Sequence, residues 1–219
     1  MIEFIVRENS PFTDEGKNLL IEEFGKNYGA YFSILSAVSG GINTQPEIMA
    51  ALGDKSIGGQ IKRLIEDYNV LKRLRPIGAK KGSQSVRYEI TDNFLQFWFN
   101  YFDRHQTMIE IKNFVGLQHI IKTDYTTYSG KTLERYFRTK LAESGLYREI
   151  GSWWEVKGNL NEIDIVAISL EKKKALAIEV KRQKDRYRPN LLAEKVKRLK
   201  QIVLPNYQIE PCCLAIEDM

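Results

Sequence analysis

Three side chains stand out for what their spacing does in an extended chain. Glu179 and Lys181 are separated only by Val180, and in a β-strand residues i and i+2 project from the same face. Ile178 and Val180 then point the opposite way, toward a core. Asp164 sits in an earlier apolar run between Ile163 and Ile165, both expected to turn away from it. Antiparallel pairing of the two runs sets Asp164 beside Glu179. Adjacent carboxylates repel unless a cation lies between them. Mg²⁺, with Mn²⁺ as its substitute, is a hard ion that takes one or two carboxylates plus substrate phosphate. Bound metal lowers the pKa of its water and offsets charge developing on a phosphodiester. A lysine two residues from a ligand orients that water or stabilises the transition state. Glu134, farther toward the N-terminus, adds a carboxylate to the metal or its water shell. The expected catalytic set is Glu134, Asp164, Glu179 and Lys181, with Asp164 and Glu179 as metal ligands. The plainer reading makes Glu179 and Lys181 a weak surface pair, Asp164 an outward strand residue, and Glu134 with Arg138 an ordinary i,i+4 helix pair.

The elements needed to hold such a site are legible around it. Residues 131–144 fit an amphipathic helix closed by Gly145, and strand material follows at 147–151 and 152–156. Residues 162–169 and 174–181 read as strands. Residues 188–202 read as a basic amphipathic helix with Leu191, Leu192, Val196 and Leu199 inward, and residues 211–216 as a last strand. Residues 129–219 therefore form one mixed domain in the order α-β-β-β-α-β. The stretch 172–200 carries 12 basic and 3 acidic residues, the kind of stripe a phosphate backbone attracts. Arg182, Lys184, Arg186 and Arg188 are its expected DNA contacts.

The first half is helical. Helices are expected at 17–24, at 28–38 ending on Ser39-Gly40-Gly41, at 45–52 with Thr44 and Glu47 as a capping box, and at 57–68. Extended segments at 70–76 and 86–91 flank a polar turn. Three short helices followed by a two-stranded hairpin are the order of a winged helix-turn-helix, assigned to residues 1–103. Its recognition helix, starting at Ser56, would present Lys55, Gln60, Lys62 and Arg63 to DNA, and its wing Lys80 and Lys81. Phe94, Phe97, Trp98, Phe99, Tyr101 and Phe102 crowd one segment; aromatics mostly fill cores, so a helix buried between two domains is expected rather than a base-stacking platform. Residues 104–128 form a helical connector.

Several of these segments resemble a known family. Tyr88-Glu89-Ile90-Thr91-Asp92-Asn93-Phe94-Leu95-Gln96-Phe97-Trp98-Phe99, Gly130-Lys131-Thr132-Leu133-Glu134, Asn161-Glu162-Ile163-Asp164-Ile165-Val166 and Ile178-Glu179-Val180-Lys181 look like the C-terminal half of archaeal and bacterial AAA-type ATPases. The paired acidic motifs also resemble the PD-(D/E)xK, or restriction-endonuclease-like, superfamily, with Ile163 where its name-giving motif has proline. The resemblance covers roughly residues 20–219. It implies a winged helix followed by a nuclease-like domain, and an ATPase module as partner, in cis or in trans. It does not imply that the domain cuts. An ATP site is not expected in this chain: Ser129-Gly130-Lys131-Thr132 is the only Walker-like string, position 125 is tyrosine where a P-loop needs glycine, and no strand leads into it.

Composition bounds these readings. The 219 residues, 43% hydrophobic and 28% charged, suit one or two globular domains and exclude a disordered chain. Net charge is +5 and uneven: residues 1–110 carry 13 basic and 14 acidic side chains, residues 111–219 carry 20 and 14. The two cysteines, Cys212 and Cys213, are neighbours and give neither a disulfide framework nor metal-ligand spacing. His105 and His119 offer no zinc spacing. No apolar run reaches membrane-span length and the N-terminus lacks a signal-peptide pattern, so a cytoplasmic, membrane-free protein is expected. The function expected is a DNA-interacting protein with a Mg²⁺-dependent, phosphodiester-hydrolysing domain. The alternative is a catalytically inactive DNA-binding or docking module that regulates a partner ATPase.

Overall fold

The computed structural model describes residues 1–219 apart from 81–84, 156–160 and 172, and for Asn27 the backbone alone. It is a mixed α/β chain, with N-terminal helices followed by a sheet domain. Two compact units divide it: Met1–Leu74 with Val86–Tyr125, and Arg75–Ser85 with Thr126–Met219.

The first unit opens with helices α1 (Ile2–Ile5), α2 (Phe12–Phe24), α3 (Tyr28–Ser39), α4 (Gln45–Ala51) and α5 (Gly58–Glu66). The cap on α4 forms: the Glu47 carboxylate accepts the Thr44 N–H at 3.2 Å and its hydroxyl at 2.7 Å. Strands β1 (Leu71–Leu74) and β2 (Arg87–Ile90) pair antiparallel, Leu71 opposite Ile90 and Leu74 opposite Arg87. The Tyr88 N–H continues the pairing on to the Asn43 carbonyl at 2.7 Å. Ile34, Leu35, Ile61, Leu64, Leu71 and Ile90 are buried beneath.

Asp92 caps α6 (Asn93–Trp98) by accepting the Leu95 N–H at 2.7 Å. A π-type turn, Phe99–Asp103, follows. Trp98, Phe99, Tyr101 and Phe102 are buried, and Trp98 packs flat against Gly16 of α2. Within the first unit these rings pack where α6 meets α2.

After α7 (Gln106–Glu110), α8 runs unbroken over 30 residues, Phe114–Glu143. From Phe114 on, the expected connector and the expected first helix of the second domain are thus one helix. Gly130 does not interrupt it, since one glycine costs a helix only about 1 kcal/mol. The Walker-like string lies inside α8. The division between the units falls at Tyr125/Thr126, within this helix.

The second unit holds β3 (Tyr147–Trp154), β4 (Glu162–Ser169), β5 (Lys174–Val180), α9 (Pro189–Ile202) and β6 (Gln208–Leu214). The two expected strands at 147–156 are one strand, β3, kinked by irregular register; the rest of 152–156 beyond Glu155 lies outside the described residues. The sheet order is β3-β4-β5-β6, antiparallel in its first two pairings and parallel in the last. Both faces are covered. Leu192 and Leu199 of α9 pack with Trp153, Ile163, Val166 and Ala177 on one face; Leu133 and Phe137 of α8 pack with Ile165, Ile178 and Val180 on the other. The segment Arg75–Ser85 belongs to this unit: Ile77 is buried in the α9-side core, and its N–H donates to the Ser152 carbonyl at 2.9 Å.

Candidate functional site

The site begins at a break in the β3–β4 ladder. Gly151 pairs with Val166 and Trp153 with Ile163. Between these pairs β3 supplies Ser152 alone, while β4 supplies Asp164 and Ile165. This is a β-bulge with the extra residue on β4, a device that re-aims side chains beside functional sites. It explains a departure from simple alternation: Ile163 and Ile165 do not share a face but enter the cores on opposite sides of the sheet.

On its other side β4 pairs with β5, Ile165 opposite Ile178. The same register carried one residue further sets Asp164 opposite Glu179. There the Asp164 carboxylate takes over from the ladder, accepting the Val180 N–H at 2.8 Å. Glu179 accepts from two ammonium groups: Lys181 Nζ at 2.7 Å on one oxygen and Lys195 Nζ at 3.1 Å on the other. Asp164, Glu179, Lys181 and Lys195 are all half-buried. Two carboxylates thus stand with two ammonium groups, formally neutral.

The environment separates the two acids. Burial holds the Asp164 carboxyl above its usual range, with the charge on Glu179 adding to the effect, against the Val180 N–H and the two lysines. Glu179 also feels burial as its largest single influence, but the hydrogen bonds and charges of Lys181 and Lys195 together outweigh it and lower its pKa. For Lys181 burial acts downward, and the Glu179 contact, assisted by Asp164, raises the net value. Cys213, opposite Glu179 on β6, is raised chiefly by burial, and burial pushes its neighbour Cys212 up to about 11. Both thiols stay protonated at neutral pH.

Glu134 is placed differently. Its carboxylate accepts from Arg138 Nη2 at 3.0 Å. The same Nη2 donates to Ser152 Oγ at 2.8 Å and to the Asp164 carbonyl at 2.8 Å. Arg138 therefore ties both sides of the bulge to α8, and Glu134 holds Arg138. The i,i+4 pairing was readable from the sequence; the grip of Arg138 on the bulge was not, because it depends on the register shift.

Lys195 also escaped sequence reading. Leu192 and Leu199 mark the inward face of α9, and position 195 lies on that same face, so a lysine there was the available signal.

The expected DNA contacts divide into groups. Lys55, Ser56, Lys62 and Arg63 are exposed and Gln60 half-buried, at or before α5. Lys62 pairs loosely with Glu66 at 3.7 Å, and the hydrogen bond that Arg63 donates to the Tyr31 hydroxyl oxygen raises the pKa of Arg63. Lys80 is exposed on the segment grouped with the second unit, and Lys81 lies outside the described residues. After β5, Arg182 binds the Ser129 hydroxyl. Lys184 pairs with Asp218 at 2.7 Å, and Arg188 donates to the carbonyls of Asp185 and Tyr187. Arg186 is exposed.

Among the described residues no cluster of three or more His, Cys, Asp or Glu side chains could hold a metal. The donors that the sequence reading offers a divalent cation would be the carboxylate pair Asp164 and Glu179. That pair fits Mg²⁺, which keeps several waters and needs only one or two carboxylates beside substrate oxygens; it does not form an all-protein cage. Among the described residues no helix is long and apolar enough to cross a membrane.

Comparison with known proteins places these features in context. Residues 98–198 match a family described as archaeal and bacterial proteins of unknown function, DUF234, a span that includes Asp164, Glu179, Lys181 and Lys195. No solved structure matches the chain. Over 189 residues, 81% of this chain, it is 32% identical to the uncharacterized protein MJECL04 of Methanocaldococcus jannaschii, and it spans 42% of that relative's length.

Proposed function

We propose that this chain is a DNA-interacting protein whose second unit is a restriction-endonuclease-like domain that hydrolyses phosphodiesters with Mg²⁺, or with Mn²⁺ in its place. The observation that carries the reading is the meeting of Asp164 and Glu179 at the end of the β4–β5 ladder, with Lys181 at 2.7 Å from Glu179. The element order of the second unit, a helix, three strands, a helix and a strand, supports it. In the first unit, three helices followed by an antiparallel hairpin support a winged helix-turn-helix with α5 as recognition helix. The proposed setting is cytoplasmic, beside an AAA-type ATPase module in cis or in trans.

Asp164 and Glu179 would hold the metal, which when bound supplies Lewis-acid stabilisation of the phosphodiester and a water of lowered pKa. Holding it requires Glu179 to loosen its lysine contacts. Lys181, freed from Glu179 Oε1, is then placed to donate to the attacking water or to a phosphate oxygen. Lys195 keeps the neighbourhood positive as the phosphate, itself an anion, enters. Arg138 fixes the bulge that aims Asp164, and Glu134 fixes Arg138; both are positioning residues. Arg182, Lys184, Arg186 and Arg188 follow the β5 end of the site and would hold the backbone, giving DNA affinity that falls steeply with salt.

A second reading has a specific observation in its favour. Both Glu179 oxygens already accept from lysine, so the cluster is closed electrostatically, as expected of an inactive nuclease fold serving as a docking module for an ATPase. Plasmid nicking with Mg²⁺ or Mn²⁺ separates the two. Cutting by the natural chain, lost in Asp164→Ala and Lys181→Ala, establishes hydrolysis. Equal cutting by all three marks a contaminant, and no cutting favours docking.

A further inference from the structure

We propose that the first unit carries a binding pocket for a small organic cation of the guanidinium or alkylammonium class, between α2, α3, α6 and α7. The cavity there measures about 500 Å³, within the range used by small ligands. Its walls are aromatic: Tyr28, Phe32, Trp98 and Phe102 line it. Phe32 and Trp98 meet edge to face, their centroids 6.0 Å apart and planes at 81°. The Trp98 indole N–H is committed to the Thr13 carbonyl at 2.8 Å, so the ring is pinned and contributes π and apolar surface rather than a donor. Aromatic faces attract cations through their quadrupole.

The charged lining has the matching sign. Asp14, Asp103 and Glu110 line the cavity against the single ammonium of Lys17. Asp103 is half-buried at the end of the π-type turn and accepts the Ser36 hydroxyl at 2.9 Å. Burial there holds its carboxyl above the usual range, against the Ser36 hydroxyl and the charge of Arg104. Acidic lining repels phosphate, which separates this pocket from any nucleic-acid surface and makes the proposal independent of the reading given to Asp164 and Glu179.

A free metabolite and an arginine side chain of another polypeptide present the same chemistry, and titration calorimetry on the full chain distinguishes them. Agmatine and choline are the free probes, 3,3-dimethyl-1-butanol the neutral counterpart of choline, and a terminally blocked Gly-Arg-Gly peptide the polypeptide-borne probe. At least one cation binds while the neutral alcohol does not. Glu110→Gln, at an exposed rim position, and Phe32→Leu each weaken that cation by roughly fivefold or more, and Lys17→Met strengthens it. A peptide bound at least tenfold tighter than agmatine identifies the source as a partner chain; the reverse identifies a free cation. Thermal unfolding of each variant controls for folding. Absence of binding by all three cationic probes, or affinities unmoved in folded Glu110→Gln and Phe32→Leu proteins, overturns the proposal.

Discussion

The guanidinium of Arg138 donates to the backbone carbonyl of Asp164 at 2.8 Å, so a helix on one face of the sheet grips the strand residue whose carboxylate serves the site. The same nitrogen takes Ser152 across the bulge, while Arg138 Nε is buried without a hydrogen-bond partner. The arrangement is asymmetric: it satisfies the irregular ladder at the cost of one orphaned donor.

Arg138→Met should therefore destabilise the second unit by roughly 2–3 kcal/mol, the scale of charge-assisted hydrogen bonds lost from a partly buried group. Urea unfolding measures it. Glu134→Gln keeps an acceptor for Arg138 and should cost less than about 1 kcal/mol. Loss of Mg²⁺ binding in Glu134→Gln at unchanged stability would instead make Glu134 a ligand.

Asp164→Asn retains an oxygen for the Val180 N–H and should remain folded, within about 1 kcal/mol of the natural chain. It should lose Mn²⁺ binding, read by paramagnetic relaxation, along with any nicking. Because burial raises the Asp164 pKa and a metal ligand must be ionised, Mn²⁺ affinity of the natural chain should weaken as pH falls toward that raised value, above the range expected of an exposed aspartate. Affinity flat down to the ordinary aspartate range contradicts this.

The Glu179 cluster sets a stability window. Glu179 has its folded pKa depressed, so its contribution is full above the ordinary glutamate range and is lost as pH falls through the depressed value. Lys181 has its folded pKa raised, so its contribution is full below the ordinary lysine range and is lost as pH rises through the raised value. Asp164 opposes them: its raised pKa favours the fold only while it is protonated, a gain lost as pH rises through that pKa. Denaturation of the natural chain and Glu179→Gln across pH should give curves that diverge most near neutrality and converge in acid.

Gly78 has φ of +78°, and a Cβ there would run into Val203, just past the end of α9. Gly78→Ala combines backbone strain with overpacking and should cost about 1–3 kcal/mol, visible as a lowered melting temperature.

What the sequence disclosed follows from periodicity. Alternation at Glu162–Ser169 and Lys174–Val180 places both strands, and their antiparallel pairing brings Asp164 to Glu179. Helical spacing in α3 and α5 places the buried Ile34, Leu35, Ile61 and Leu64. Relations between distant elements were hidden. A bulge leaves no mark on hydrophobic alternation when both faces of a strand are buried, as they are around Ile163 and Ile165. A helix boundary has no signal where none exists, and Ser129-Gly130 suggests a start that α8 passes straight through. Lys195 reads as one more cation of a basic helix until the register shows which face Glu179 occupies.

The chain leaves the first unit after Leu74, enters the second through Arg75–Ser85, returns at Val86, and crosses for good beyond Tyr125. A gene segment starting at Thr126 would lack Ile77 and leave its seat beside Gly151 and Trp153 vacant. Neither half can be transplanted by a single cut, so recombination that exchanges one must carry the other along, or supply a foreign plug for that hole.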